Sequence, residues 1–320
     1  MASFELIEPP ALSVGDVDRA DGVRADAERL RAGWPEARLL PVDHSGRFPL
    51  TDDGALRWSA ATDFGSEPPA GAVLLGVVGT DRWALRVESV EEPAADARFG
   101  AARLSAQEAS LLATALGLLN WHRAARFSPG DGTPTEPANG GWLRRTAAGG
   151  EEYPRTDPAV IMLVHDGADR VLLGRSSGWP ERTFSTLAGF VETGESLEQC
   201  VRREVYEEAG VDVWSPRYLG SQPWPFPRSL MLGFEAIADP SQPVSLNDGE
   251  LAEARWFHRD EVREALALGA DWGADAPGAA LLLPGSVSIA RSLIDGWARG
   301  DKTAWHRVGI SEEPVLLWQA

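Results

Sequence analysis

The sequence predicts an α/β protein, with a β-rich domain over residues 1–104, a connecting helix over 105–127 and a second domain of mixed strands and helices over 153–305. Three observations lead there. Short apolar runs bounded by turn residues recur on both sides of a long capped helix. One later segment has helical periodicity with both a start and a stop signal. A length of 320 residues with 43% hydrophobic content suffices for about two cores.

Taken in order, residues 16–33 are polar and predict a short helix. Residues 72–78 and 83–87 predict strands around the turn 79–82. Ser105 with Glu108 forms a capping pattern, and Leu111, Leu112, Ala115, Leu118, Leu119 and Trp121 give an apolar face that carries the helix to about residue 126. Residues 160–164 predict a buried strand and 170–174 the next. Asp260-Glu261-Val262 opens a short helix, and 289–297 form the last one. The tail, 306–320, has no predicted element.

The chemistry concentrates in residues 189–211. Ser196 followed by Gln199 is a capping box, and Gly210 stands where a left-handed turn would stop the helix, which predicts a helix over 197–209. Leu197, Val201 and Val205 recur every four residues as its buried stripe. Glu204 and Glu208 are one turn apart, with Glu207 beside them. Like charges at this spacing destabilise a helix by a few tenths of a kcal/mol each, and a cation relieves them. Clustered carboxylate oxygens are hard ligands suited to Mg²⁺ or Mn²⁺, which bridge to substrate phosphates. A bare run of acidic residues would be read as a solvated face; Gly189 and Glu195 before it and Arg203 within it argue for a metal site.

Gly189, five residues, Glu195, seven residues, Arg203-Glu204-Val205, one residue, Glu207-Glu208, one residue, Gly210-Val211 resembles a complete Nudix box. The resemblance implies a loop-helix-loop on an α/β/α sandwich with a mixed sheet, and hydrolysis of nucleoside diphosphates linked to another group. It makes Glu204 and Glu208 metal ligands with Glu207 an additional one, Arg203 and Glu195 the pair that orients helix and loop, and the Ala188 carbonyl a further ligand.

Ser221-Gln222-Pro223-Trp224-Pro225-Phe226-Pro227-Arg228-Ser229 follows. Three prolines in five positions argue against a central strand and predict a rigid extended loop presenting Trp224 and Phe226. This stretch resembles the signature of the NADH pyrophosphatase subfamily, whose members also remove NAD caps from RNA. Residues 153–160 are similar to that subfamily's lead-in to its catalytic domain, Glu250 to its extra acidic ligand and 288–290 to its last substrate-contacting segment. The resemblance then implies a nicotinamide ring held between Phe190 and Tyr153 of a partner subunit, a pocket lined by Gln222, Trp224, Phe226, Ser229 and Ala290, and a homodimer. It covers about residues 100–300.

Residues 128–152 depart from the subfamily, which carries a four-cysteine zinc ribbon there. Ser128, Asp131, Thr146 and Gly149 stand at the cysteine positions. Structural zinc needs thiolate or imidazole donors, so no zinc is predicted, and the segment is expected to be held by packing alone or to be partly mobile.

One cysteine, Cys200, excludes an intramolecular disulfide and reads as a packing residue. The N-terminus has no secretory pattern and no apolar run spans a bilayer, so the cytoplasm is the expected compartment and no membrane partner is expected. A net charge of −18 argues against a nonspecific nucleic-acid binder, although Arg144, Arg145, Arg175, Arg182, Arg202 and Arg228 could guide a capped 5′ end. The five histidines lack metal spacing and read as structural or exposed.

The expected reaction is therefore metal-dependent hydrolysis of the pyrophosphate in NADH or NAD⁺ to nicotinamide mononucleotide and AMP, or the same cleavage on NAD-capped RNA. Glu208 is the first choice for the indispensable carboxylate and Glu250 the alternative base, because spacing does not separate ligand from base. The alternatives are an ADP-ribose pyrophosphatase, which should not need Trp224 and Phe226, and a catalytically silent nucleotide-sensing module, against which the intact acidic set argues.

Overall fold

Side-chain alternation along a few strands sets the layers. The computed structural model describes residues 4–300 apart from 248, 270, 271, 273–275 and 277; the tail 306–320 lies outside the described residues.

The N-terminal domain contains α1 (Ala27–Gly33), β1 (Arg38–Asp43), β2 (Arg47–Pro49), β3 (Ser59–Ala60), β4 (Val73–Val78), β5 (Thr80–Val87), β6 (Ala94–Asp96), α2 (Ala97–Gly100) and α3 (Ala106–Ala124). Its main sheet has the order β3-β1-β5-β4, with β1 and β5 parallel. Leu40, Val42 and Ala84 face α3, whereas Leu39 and Trp83 face α1, where Trp34 meets Trp83 edge-on at 5.5 Å between ring centroids. The Ser105–Glu108 capping box forms, and α3 is buried along most of its length.

The segment 128–152 forms a three-stranded sheet of β7 (Thr135–Ala138), β8 (Leu143–Thr146) and β9 (Glu151–Glu152). The expectation that packing alone would hold it is corrected. Buried Arg144 donates Nε–H to Thr135 Oγ1 (2.7 Å), Nη1–H to His122 Nδ1 (2.9 Å) and Nη2–H to the Thr135 carbonyl, while His122 Nε2–H donates to the Gly141 carbonyl (2.7 Å). Arg144 is thus an internal tie and not a surface guide for RNA. Two side chains of the segment close turns: Asp131 Oδ1 accepts from Thr133 N (3.0 Å), and Thr146 Oγ1 accepts from Gly150 N (2.9 Å).

The second domain has β10 (Asp157–His165), β11 (Arg170–Ser176), β12 (Leu187–Phe190), α4 (Leu197–Ala209), β13 (Val213–Trp224), β14 (Ser229–Ala238), β15 (Leu251–His258), α5 (Arg259–Ala267) and α6 (Ile289–Arg299). Its sheet runs β13-β14-β10-β11-β15 with β12 also on β10, and β10/β14 is parallel among antiparallel neighbours. Val160, Met162 and Val164 face α4 with Val201, Val205 and Phe234; Ile161 and Leu163 face α5 and α6 with Val262, Leu293 and Trp297. The result is the α/β/α sandwich with a mixed sheet.

Residues 221–229 are not a loop throughout. Residues 221–224 are the end of β13, an edge strand in which Pro223 pairs with Leu230, and 225–228 form the turn into β14. An edge strand tolerates proline because its outer N–H row needs no partner. Asn120 of α3 pins that turn, donating from Nδ2 to the carbonyls of Pro225 and Pro227, both at 2.9 Å. The domains also interleave. Phe4 and Leu6 pack in the core of the second domain, while Val287, Trp224 and Phe226 pack against that of the first.

Candidate active site

The acidic site is built from α4, the loop before it and β12. The helix spans Leu197–Ala209 as the sequence predicts, with the Ser196–Gln199 capping box closed and Gly210 at φ 68° ending it. Val201 and Val205 turn into the sheet, Arg203 and Glu204 are partly buried, and Glu207 is exposed. Glu208 is turned inward and is only 5% exposed.

Arg203 organises the site. Its Nη2 and Nε donate to the two oxygens of Glu195 at 2.6 and 3.1 Å, a forked pair that ties the loop to the helix. The Glu195 Oε1 also accepts from the backbone N–H of Glu192 at 2.8 Å, which fixes the loop's turn. Arg203 Nη2 further donates to the Phe190 carbonyl (3.0 Å), and Nη1 donates to both Glu204 Oε1 and Glu207 Oε2 at 2.9 Å. The guanidinium holds the Glu195 carboxyl at about 2, and the surrounding carboxylates push the Arg203 pKa up. Glu204 moves the other way: burial raises it against the pull of Arg203, and the charges of Glu207 and Glu250 add to the rise. Glu250, just before β15, therefore lies within electrostatic reach of Glu204; its carbonyl accepts from Ser177 N at 3.1 Å.

Gly189 has a steric reason. A Cβ there would overlap the Glu204 carboxylate, so the backbone of β12 can lie against that side chain only without one. Ala188 stands opposite Ile161 in the β10/β12 register, next to Gly189.

Among the described residues, no three acidic, histidine or cysteine side chains are already closed on one point; Glu204 and Glu207 each commit an oxygen to Arg203. The donor set nonetheless fits a hard divalent cation, since every candidate donor is an oxygen and the cluster carries more negative charge than one guanidinium offsets.

The remaining expected residues divide. Phe190 and Tyr153 are exposed aromatics, 59% and 57% accessible, with the Tyr153 hydroxyl donating to Glu151 Oε2 at 2.7 Å. Gln222 is fully buried: Nε2 donates to the carbonyls of Ala11 (2.6 Å) and Val287 (2.7 Å), and Oε1 accepts from Ile289 N (2.8 Å). Its side chain, like that of buried Ala290, is enclosed and does not line an open pocket in this chain. Trp224 and Phe226 meet edge-on at 4.9 Å and pack on the N-terminal core, with Arg98 over Phe226 at 5.2 Å. Ser229 begins β14 beside α3. Cys200 is buried, and burial pushes its thiol up to about 12, as befits a packing residue and not a nucleophile. The Phe190 carbonyl, a fourth partner of Arg203 beside Glu195, Glu204 and Glu207, has no signature in the sequence because a backbone acceptor belongs to every residue type.

A NUDIX domain is recognised over residues 155–276. The chain is 53% identical over 305 residues to the NAD-capped RNA hydrolase NudC of Mycobacterium bovis, an alignment covering 92% of this chain and 96% of that protein. The Mycobacterium tuberculosis protein of the same description matches with the same identity and coverage. The chain belongs to the Nudix hydrolase family. A more distant Nudix relative, the NAD-capped RNA hydrolase of Schizosaccharomyces pombe, is 40% identical over 219 residues, 63% of this chain and 57% of that protein. Nudix hydrolases generally use divalent cations.

Proposed function

We propose that this protein hydrolyses the pyrophosphate of NADH or NAD⁺ to nicotinamide mononucleotide and AMP, and removes NAD caps from RNA by the same cleavage. The observation that carries the reading is the Glu195–Arg203 lock beneath Glu204 and Glu207, in a chain 53% identical to an NAD-capped RNA hydrolase along nearly its whole length. Glu204, Glu207, Glu208, Glu250 and the Ala188 carbonyl would hold Mg²⁺ or Mn²⁺. When bound, the cation neutralises the diphosphate and lowers the pKa of an attacking water.

Arg203 and Glu195 keep the loop and helix in register, so the carboxylates meet the substrate already positioned. Glu208 is the indispensable carboxylate and Glu250 the alternative base. Exposed Phe190 offers one face to the nicotinamide ring, and Tyr153 of a partner subunit would close the other, which makes a homodimer part of the reading. Gln222, Trp224, Phe226 and Ala290 act from behind, fixing the seam between the domains against which the pocket is built. The cytoplasm, where NAD(H) and transcripts are both present, is the proposed compartment.

The test is product chromatography after parallel incubation with NADH, ADP-ribose and NAD-capped RNA, with Mg²⁺ or Mn²⁺. Nicotinamide mononucleotide and AMP from NADH support the reading. ADP-ribose belongs in the panel because Trp224 and Phe226 are packed on the N-terminal core; a clear preference for it would overturn NAD(H) as substrate.

A further inference from the structure

A cavity of about 300 Å³ opens in the N-terminal domain, where α1, the loop 67–72 before β4 and the turn 139–141 between β7 and β8 meet. Tyr153, Phe190, residues 221–229 and 288–290, and the acidic cluster all lie outside its lining. Its floor is apolar. Leu30 and Trp83 belong to the core beneath α1, and Pro68, Pro69 and Pro137 stand in the walls. Proline carries no N–H, so these walls present apolar surface without a backbone donor.

The mouth is polar, and its charges balance. Arg31 in the last turn of α1 and Glu67 in the loop are the ionisable residues of the lining; both are exposed, and neither is in a salt bridge among the described residues. Asn139 adds an amide able both to donate and to accept. An anion meets one attraction and one repulsion at this mouth, and so does a cation. A molecule carrying both charges on one carbon meets two attractions.

Gly140 adds an independent observation. Its φ of 59° is one that side chains rarely adopt, and an added Cβ would come within 3.2 Å of Leu74 and 3.6 Å of Leu30. The turn therefore passes over the floor as bare backbone. A side chain there would press on Leu30 and narrow the cavity.

We propose that this cavity binds a free α-amino acid with an apolar side chain, its carboxylate at Arg31, its ammonium at Glu67 and its side chain on Leu30 and Trp83. The volume, at the lower limit of drug-sized pockets, suits one amino acid and not a dinucleotide. Arginine supplies the forked donors that match a carboxylate. Burying the ligand's side chain contributes about 10- to 100-fold in affinity, which sets large apolar amino acids above glycine.

The experiment is calorimetric titration of the full-length protein with L-phenylalanine, L-leucine, glycine, phenylacetate, phenethylamine and N-acetyl-L-phenylalaninamide, alongside NADH hydrolysis in the presence of metal. Phenylalanine or leucine is expected to bind saturably with a Kd below about 1 mM, and glycine about 10-fold more weakly or worse. Phenylacetate and phenethylamine each keep a single charge and should also lose about 10-fold or more. Arg31→Gln and Glu67→Gln change exposed side chains, so both should fold as wild type, weaken phenylalanine by about 10-fold and hydrolyse NADH within about twofold of wild type. Absence of saturable binding by phenylalanine and leucine would overturn the proposal, as would equal binding of glycine or of either single-charge analogue. Tighter binding of N-acetyl-L-phenylalaninamide would make the groove a peptide site and overturn it too. So would unchanged phenylalanine binding in both variants, or loss of NADH hydrolysis in either, which would assign that residue to the active site. Failure of NADH hydrolysis in wild type would sink the proposed activity and leave this site untouched.

Discussion

His122 should make the protein acid-labile over a definite interval. Its ring is buried at the end of α3; Nε2–H donates to the Gly141 carbonyl and Nδ1 accepts from Arg144. Protonating Nδ1 would remove that acceptor and set two cations face to face without water. Burial first, and Arg144 next, hold the imidazole at about 4, against an ordinary value of 6.5. The neutral ring is therefore the folded form, and its contribution is complete above about pH 6.5. As pH falls below that, the unfolded chain takes up a proton that the folded chain refuses, and stability is lost until pH passes about 4. Linkage gives a loss of about 2 kcal/mol between pH 7 and pH 5, rising to about 3 kcal/mol below both values. Urea unfolding at pH 7, 6 and 5, on wild type and His122→Gln, measures it; the variant should lose less over the same interval by about that amount. Parallel losses in the two proteins would refute the reasoning, and so would a ring titrating above pH 6 in proton NMR of the folded wild type.

The active site gives three further expectations. Glu208→Gln keeps the shape of a buried side chain and should lower kcat by about 100-fold or more with an unchanged circular dichroism spectrum; near-normal turnover in saturating Mn²⁺ would reassign the essential carboxylate. Gly189→Ala places a methyl in the Glu204 carboxylate, and the displacement should cost about 10- to 100-fold in kcat with little change in the urea midpoint; a full-rate variant would mean that Glu204 has room to move. Trp224→Ala removes a partly buried ring from the N-terminal core and should destabilise by about 2 kcal/mol while the KM for NADH stays within about twofold. A large KM increase at unchanged stability would instead place Trp224 against the substrate.

What the sequence displayed and what it concealed divide by distance along the chain. The helix α4 was legible to the residue because its signals are local: Ser196 and Gln199 cap it, Gly210 ends it, and Val201 and Val205 give its buried side. The ion-pair cluster was legible for the same reason, since its charges are gathered within a single loop and helix, where Arg203 reaches back eight residues to Glu195. The walls around that site join segments far apart. Gln222 is fixed by Ala11, Val287 and Ile289, at separations of 211, 65 and 67 residues, and nothing near Gln222 announces those partners. Phe4 and Leu6 cross into the second core in the same silent way.

The proline-rich stretch shows how a sound local rule can still mislead. Prolines at 223, 225 and 227 exclude a central strand, but whether a strand is central or at an edge is decided by what pairs beside it, and β13 has β14 on one side only. Residues 128–152 present the converse. What holds the segment was not apparent, because an arginine in a turn-rich segment reads as surface until His122 and Thr135 are found around it. A buried guanidinium without such acceptors would cost several kcal/mol. Arg144 on β8 is buried with its acceptors in place, so the arginine, Thr135 and His122 form a polar clasp in which removing one member leaves the others unpaired. That interdependence is also why acid acting on one imidazole should loosen the whole module.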